Sequence, residues 1–109
     1  MRNRVTLIGN LGMDPELVTF EKGGQKARFT LATNEKYTNK SGEKVEETQW
    51  HNLVAFGKTA DIITKYAKKG KEIAIEGKLT TRDYTDEKGV KRYVTEVIVN
   101  ELVLLGSKN

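Results

Sequence analysis

Most of this 109-residue chain is written in short runs whose apolar side chains fall at alternate positions, each run stopped by a turn that contains glycine. Ala27-Arg28-Phe29-Thr30-Leu31-Ala32-Thr33 sends Phe29 and Leu31 to one side and Arg28 and Thr30 to the other. Glu72 through Leu79 sets Ile73, Ile75 and Leu79 against the parity that goes on to carry Lys78, Arg82 and Tyr84. A period of two marks strands buried on one face only. The stops are Gly9-Asn10-Leu11-Gly12 after Val5-Thr6-Leu7-Ile8, Lys22-Gly23-Gly24 after Leu17-Val18-Thr19-Phe20, the polar finger Asn39-Lys40-Ser41-Gly42-Glu43-Lys44, and Asp86-Glu87-Lys88-Gly89 before a last β-rich segment from Tyr93 to Leu105. Turns of this composition join antiparallel neighbours.

One segment keeps a different period. Between Lys58 and Lys69, Ala60, Ile63 and Ala67 recur at helical spacing with Ile62 and Tyr66 alongside, and Gly70 supplies the stop. Three strands, a helix and two further strands, in a chain long enough for one modest core, predict a single all-β domain over 1–109. The order matches a five-stranded Greek-key barrel of the OB-fold type, with its one helix between strands 3 and 4. A barrel of that size fills its interior with Val, Ile and Leu. The chain has no cysteine, which removes disulfides, thiolate zinc sites and thiol catalysis, and suits a reducing compartment, the cytoplasm. Its first residues hold too short an apolar run for a signal peptide, and no stretch approaches a membrane span.

Four rings, Tyr37, Trp50, Phe56 and Tyr84, fall where strands are expected, among lysines and arginines. The 19 Lys and Arg against 15 Asp and Glu leave a formal charge of +4, which favours a polyanionic partner. An aromatic in a strand is either core or, on an outward basic surface, a platform for unpaired bases. Trp50 and Phe56 share a parity and stand about 20 Å apart along a strand, room for several bases. Asn52 on that parity points to an outward face, Val54 to a partly covered one. Tyr84 shares the polar parity of Lys78 and Arg82, awkward for a core ring and suited to stacking. Tyr37 has the parity of Phe29 and Leu31, so it faces outward only if its strand bends or bulges first.

Enzyme readings lack parts, and no cofactor is implied. The one histidine, His51, faces away from Trp50 by parity and builds neither a zinc site nor a triad alone, so it reads as a packed or interface residue. Asp14 and Glu16 flank Pro15 in a turn and read as solvated. Neither a Walker loop nor a dinucleotide fingerprint is present. The G-x-x-G letters of Gly9 to Gly12 follow a strand, whereas the KH nucleotide clamp joins helices. There is no basic recognition helix for a duplex, because Lys58, Lys65, Lys68 and Lys69 lie around a helix that also needs an apolar side. General binding of single strands is the reading that remains.

Several stretches, in order over nearly the whole chain, resemble the bacterial single-stranded DNA-binding proteins, an OB-fold group: Gly9-Asn10-Leu11-Gly12-Met13-Asp14-Pro15-Glu16, Leu31-Ala32-Thr33, Glu47-Thr48-Gln49-Trp50-His51, Phe56-Gly57-Lys58, Lys69-Gly70, Ile75-Glu76-Gly77-Lys78-Leu79 and Thr95-Glu96-Val97-Ile98-Val99-Asn100. The resemblance implies a homotetramer around which single-stranded DNA wraps, protected during replication, recombination and repair. It implies stacking at Tyr37, Trp50, Phe56 and Tyr84, a DNA path along Arg4, Lys40, Lys58, Lys69, Arg82 and Arg92, and a subunit contact at His51. Tyrosine stands at 37 and 84 where tryptophan is usual, and Asp83 where a basic residue is common; weaker or more salt-sensitive binding is expected. The family typically continues into a linker and an acidic tip that recruits replication and repair enzymes. Here the sequence reaches Gly106-Ser107-Lys108-Asn109 with neither, and a core fragment or a short member without that recruiting function is expected. The rival readings are a dimeric primosome-type OB-fold accessory protein acting mainly through protein partners, which the full aromatic set disfavours, and an OB-fold that mediates protein contacts alone.

Overall fold

The computed structural model describes residues 3–105; the stretch 106–109, on which the expectation about a missing tail falls, lies outside them. The alternating runs form six strands and the helical run one helix: β1 (Val5–Leu11), β2 (Glu16–Thr19), β3 (Gln25–Thr38), β4 (Lys44–Phe56), α1 (Gly57–Tyr66), β5 (Glu72–Thr85) and β6 (Lys91–Leu104). β3 organises them. One of its edges pairs with β4 along its length, from Lys26 opposite Phe56 to Thr38 opposite Lys44. Its other edge is shared: β2 lies along Gln25 to Arg28, and Asn10 and Leu11 of β1 lie along Ala32 and Leu31.

β1 and β2 therefore occupy successive stretches of one edge, as a single first strand broken between Gly12 and Pro15 would. This is why four strands precede the helix where three were expected; taken together, β1 and β2 restore the five-stranded order. β1 continues onto β5, β5 onto β6, and β6 runs parallel to β4 at Leu53/Val97 and Val54/Ile98, which closes the barrel.

The interior holds the side chains that alternation selects: Phe29 and Leu31 of β3, Leu53 and Ala55 of β4, Ile73 and Ile75 of β5, Val97 and Val99 of β6. α1 covers an end of this core with Ala60, Ile63 and the following Ala67, all fully buried, and leaves Ile62 and Tyr66 outside. Its first turn has no acid, and Phe56 at the N-cap makes no side-chain capping hydrogen bond, so packing of the apolar stripe, more than capping, holds the helix. Leu79 keeps the inward parity and pairs with Val97, yet it is half exposed, against the expectation that it packs with Ile73 and Ile75. β1 accompanies β5 only as far as Gly77, and beside Leu79 it is the Asn3 side chain that continues, bonding the Leu79 N–H and carbonyl, so the strand pairing that backs Ile73 and Ile75 is not repeated there among the described residues.

Closure brings backbones together at two glycines. A Cβ on Gly9 would overlap the carbonyl of Ala32, and one on Gly77 the carbonyl of Ile98. Beside Gly77 the register slips, with Glu76 opposite Glu101 and Gly77 opposite Val99, so Asn100 is an extra residue on β6. Such a bulge sharpens the bend of its strand. Past the barrel, β3–β4 and β5–β6 run on as two hairpins with tips of one design. Asn39 Oδ1 accepts from the backbone N–H of Ser41 and Glu43, and Asp86 Oδ1 from those of Lys88 and Val90, all at 2.9 Å. Gly42 and Gly89 complete them with φ of 83° and 81°. The polar finger read from the sequence is thus a tight turn on paired strands.

Because the obstacle at Gly77 is backbone, a side chain there has nothing to push aside. Gly77→Ala should cost about 1–3 kcal/mol, read as a lower urea midpoint, and a midpoint equal to the parent's would refute the close approach. A second outcome concerns Asp86, whose carboxyl is held below its ordinary range by the Val90 N–H and then by Arg92, whose Nε donates at 2.9 Å. A depressed folded-state value gives support that is complete above the ordinary carboxylate pKa and fades as pH falls through the lower one. Asn39 makes the same tip with an amide oxygen, so Asp86→Asn should keep the turn and lose the pH dependence. Amide protection factors at Lys88 and Val90 are expected to drop between about pH 5 and pH 2 in the parent and to stay level in the variant; a drop in both would contradict the assignment.

Candidate nucleic-acid interface

Residues opposite one another in a sheet point to the same side, so the register fixes which rings share a surface. Trp50, Asn52, Val54 and Phe56 alternate with the buried Leu53 and Ala55 and therefore face outward. Opposite them on β3 stand Ala32, Thr30, Arg28 and Lys26. Across β6, Val54 adjoins Ile98, and from there Ile98, Glu96, Val94 and Arg92 lie opposite Lys78, Thr80, Arg82 and Tyr84. Trp50, Phe56 and Tyr84 thus belong to one outer surface, together with Lys26, Arg28, Arg82 and Arg92. They are 64 %, 47 % and 47 % exposed, so none is a core ring. Val54 on the same surface is buried, the covered spot that its parity warned of.

Tyr37 is exposed for a different reason from the one expected. The β3–β4 register runs without a slip from Lys26 to Thr38, so no bulge turns the strand over. Tyr37 keeps the parity of Phe29 and Leu31 and is free because the hairpin has passed beyond the barrel. It stands on the reverse face from Trp50, opposite Val45, and with Lys36, Thr38, Lys44 and Glu46 lines a shallow hollow. Tyr93 repeats the arrangement on the other hairpin. It keeps the inward parity of Val97 and Val99, yet is two-thirds exposed, with Lys91 Nζ 5.9 Å from the ring centre. Its parity is that of the core, so alternation alone gives no sign that Tyr93 reaches solvent.

The supports of these rings are local. Trp50 passes so close over Gly12 that a Cβ there would overlap the indole. The Gly12 loop is tied down in turn: the Lys69 N–H donates to Asp14 Oδ1 at 2.8 Å, and the Gly70 N–H to the Leu11 carbonyl at 2.8 Å. Lys69 is thereby placed beside the loop under Trp50. Phe56 is the residue at which β4 becomes α1, which puts Lys58 in the first helical turn next to it. Lys40 lies at the tip of the β3–β4 hairpin, beyond Tyr37.

The cations divide into two kinds. Arg82 Nε and Nη2 fork onto Glu96 at 3.1 and 3.4 Å, Arg92 bonds Asp86, and Arg4 pairs with Glu76 on β5. Hydrogen bonding and charge from Glu96 and from Glu76 hold Arg82 and Arg4 protonated even beyond the usual guanidinium range. Among the described residues, Lys40, Lys58 and Lys69 have no carboxylate at ion-pair distance. Asp83, the unusual acid beside Tyr84, is matched by Lys91 at 3.3 Å. Arg4 is not gathered with the rings; it stands at the start of β1. His51 faces inward from Trp50, half-buried at the barrel rim, with Nε2 3.0 Å from Thr33 Oγ1. Nothing in its own segment marks Glu96; only the strand register shows that it lies diagonally across from Arg82.

The arrangement offers stacking surfaces and donors for an anionic backbone, and among the described residues no cluster of three or more His, Cys, Asp or Glu side chains is placed to hold a metal ion. Comparison with known proteins points the same way. The chain is 46 % identical over 108 residues to single-stranded DNA-binding protein 1 of Chlorobaculum tepidum, an alignment that takes in 98 % of this chain and 67 % of that protein. Its fold superimposes on a Plasmodium falciparum SSB solved in complex with ssDNA, with a TM-score of 0.90, 30 % identity and 97 % of each chain covered. The model of the single-strand binding protein family matches residues 2–105, nearly all of the sequence, and with the barrel and its outward rings in agreement, this chain belongs to that family.

Proposed function

We propose that this chain binds single-stranded DNA without regard to sequence and shields it during replication, recombination and repair, as a binding protein and not an enzyme. The observation that carries the reading is where its rings lie. Of eight aromatic residues only Phe29 is in the core, and Trp50, Phe56 and Tyr84 share one outer surface with basic side chains. Exposed rings gain little in water and gain on the order of 1–3 kcal/mol for each base stacked on them. Tyr37 and Lys40 extend the path along the β3–β4 hairpin, Lys58 and Lys69 flank Phe56 and the Trp50 support, and Arg82 and Arg92 lie beside Tyr84. Arg4 would meet DNA only where the strand passes β1. The cytoplasm is the compartment this reading implies; no helix among the described residues is long and apolar enough to cross a membrane.

We read the working form as a homotetramer. Among the described residues, β1 leaves the outer edge of Val5 to Gly9 without a strand partner, since it meets β3 only at Asn10 and Leu11. Ile8, Ala74 and Val103 line up across β1, β5 and β6, with Ile8 and Val103 more than half exposed. An open strand edge beside an apolar sheet face fits a second copy of the chain. His51 at the rim is a candidate contact in the same assembly.

Trp50 reports directly on the first proposal, being the single tryptophan. Oligothymidylate should quench its fluorescence strongly at low salt and much less at high salt, with little response to duplex DNA. Trp50→Ala, followed by a labelled strand, should lose about 5- to 150-fold in affinity, the equivalent of one stacked base; an unresponsive tryptophan and an unchanged affinity would sink the proposal. For the assembly, sedimentation should return the mass of four chains and Val103→Glu a smaller one, whereas a dimeric parent would favour the accessory-protein reading.

A further inference from the structure

Five ion pairs are formed among the described residues, and one differs from the rest. The carboxylate side chains of Glu16, Asp83, Glu76 and Asp86 are 56, 53, 29 and 22 % exposed, but that of Glu96 only 11 %. Exposed pairs of this kind contribute little to stability. A carboxylate so far out of water persists only if its charge is matched and its oxygens are hydrogen-bonded. Arg82 does both, with Nε to one oxygen and Nη2 to the other.

The position of Glu96 is as telling as its burial. It forms part of the wall of two hollows, each of about 200 Å³, one between β4 and β6 beside Trp50 and the other on the outer surface beside Arg82. One hollow is lined by Trp50, His51, Asn52 and Leu79, the other by Arg28, Thr30, Asn52, Arg82 and Val94. A lone negative charge there would repel every phosphate that reached the surface. Matched by Arg82 it adds no net charge, and it uses only one side of the guanidinium. Arg82 stays half exposed, with its remaining N–H groups available and their plane fixed by the fork.

We propose that Glu96 is a positioning residue for nucleic acid, holding Arg82 as a neutralised, pre-oriented phosphate donor, so that Arg82 adds direction to binding without adding to its salt dependence. The inference rests on the single-strand-binding reading above. Its physical content is that a cation already matched by a buried carboxylate displaces no additional counterion, whereas a free one on a single strand steepens the slope of log affinity against log salt by about 0.7. Lys40, Lys58 and Lys69 belong to the free kind, Arg82 to the matched kind.

The test is the affinity of the whole chain for oligothymidylate over a tenfold range of salt, for the parent, Glu96→Gln, Arg82→Lys and the double variant Glu96→Gln/Arg82→Gln. Glu96→Gln frees the charge and loosens the guanidinium. Its slope should steepen by about 0.7, a change of about fivefold in relative affinity across the range, and its line should cross the parent's: tighter at low salt, weaker at high salt. The double variant should return to the parent slope with lower affinity throughout. Arg82→Lys keeps the charge but not the planar fork; several-fold weaker binding at an unchanged slope is expected, and this arm still reads if Glu96→Gln does not fold. Overturning results are a Glu96→Gln line parallel to the parent's, whether equal or uniformly weaker, or an Arg82→Lys affinity equal to the parent's. A parent that fails to bind oligothymidylate would overturn the functional reading, and this inference with it.

Discussion

The structure depends on barrel closure through very few contacts. β1 meets β3 at two residue pairs and β4 meets β6 at two, and between them these contacts convert an open sheet into a ring. Backbones that converge so tightly leave no room for a side chain, so the strands cross at Gly9 and Gly77, and β6 takes up the remaining curvature with one extra residue, Asn100. An OB-type barrel leaves much of the sheet without an exposed edge. It also sets the volume of the core, and most other features follow from that volume.

A ring of five strands encloses a narrow interior, filled here by Leu31, Leu53, Ile73, Ile75 and their aliphatic neighbours with a single aromatic, Phe29. The other aromatics have no place inside. β3, β4, β5 and β6 are each longer than the barrel needs, and the surplus projects as two hairpins whose faces both meet solvent. Rings placed on them are exposed whatever their parity. That is why Tyr37 and Tyr93, on the core side of the alternation, are as accessible as Trp50 and Tyr84.

Charge on the same surface is organised rather than scattered. Arginines lie against carboxylates of neighbouring strands or of the hairpin turn, the most buried of these acids being Glu96 under Arg82, while the ammonium groups of the lysines at the hairpin tip, at the helix start and in the turn after α1 have no carboxylate at ion-pair distance among the described residues. The difference suits the two side chains. Arginine's planar fork holds direction while sharing its charge, and lysine's compact ammonium works as a mobile point charge. A surface built this way separates the geometry of phosphate contacts from their dependence on salt.

What the sequence determined by itself was the class of fold, the strand faces within the barrel, the helix and its buried stripe, and the rings that stand out among basic residues. All of these rest on periodicity and composition, which are local. The register of distant strands was not legible, because pairing between β4 and β6 or between β1 and β3 leaves no mark in either segment alone. Register decided that β1 and β2 are one interrupted strand, that Leu79 lies at the rim, that Tyr37 needs no bulge to reach solvent, and that Glu96 meets Arg82. The alternation of a strand says which side chains share a face; only the point at which the barrel wall ends says whether that face is buried.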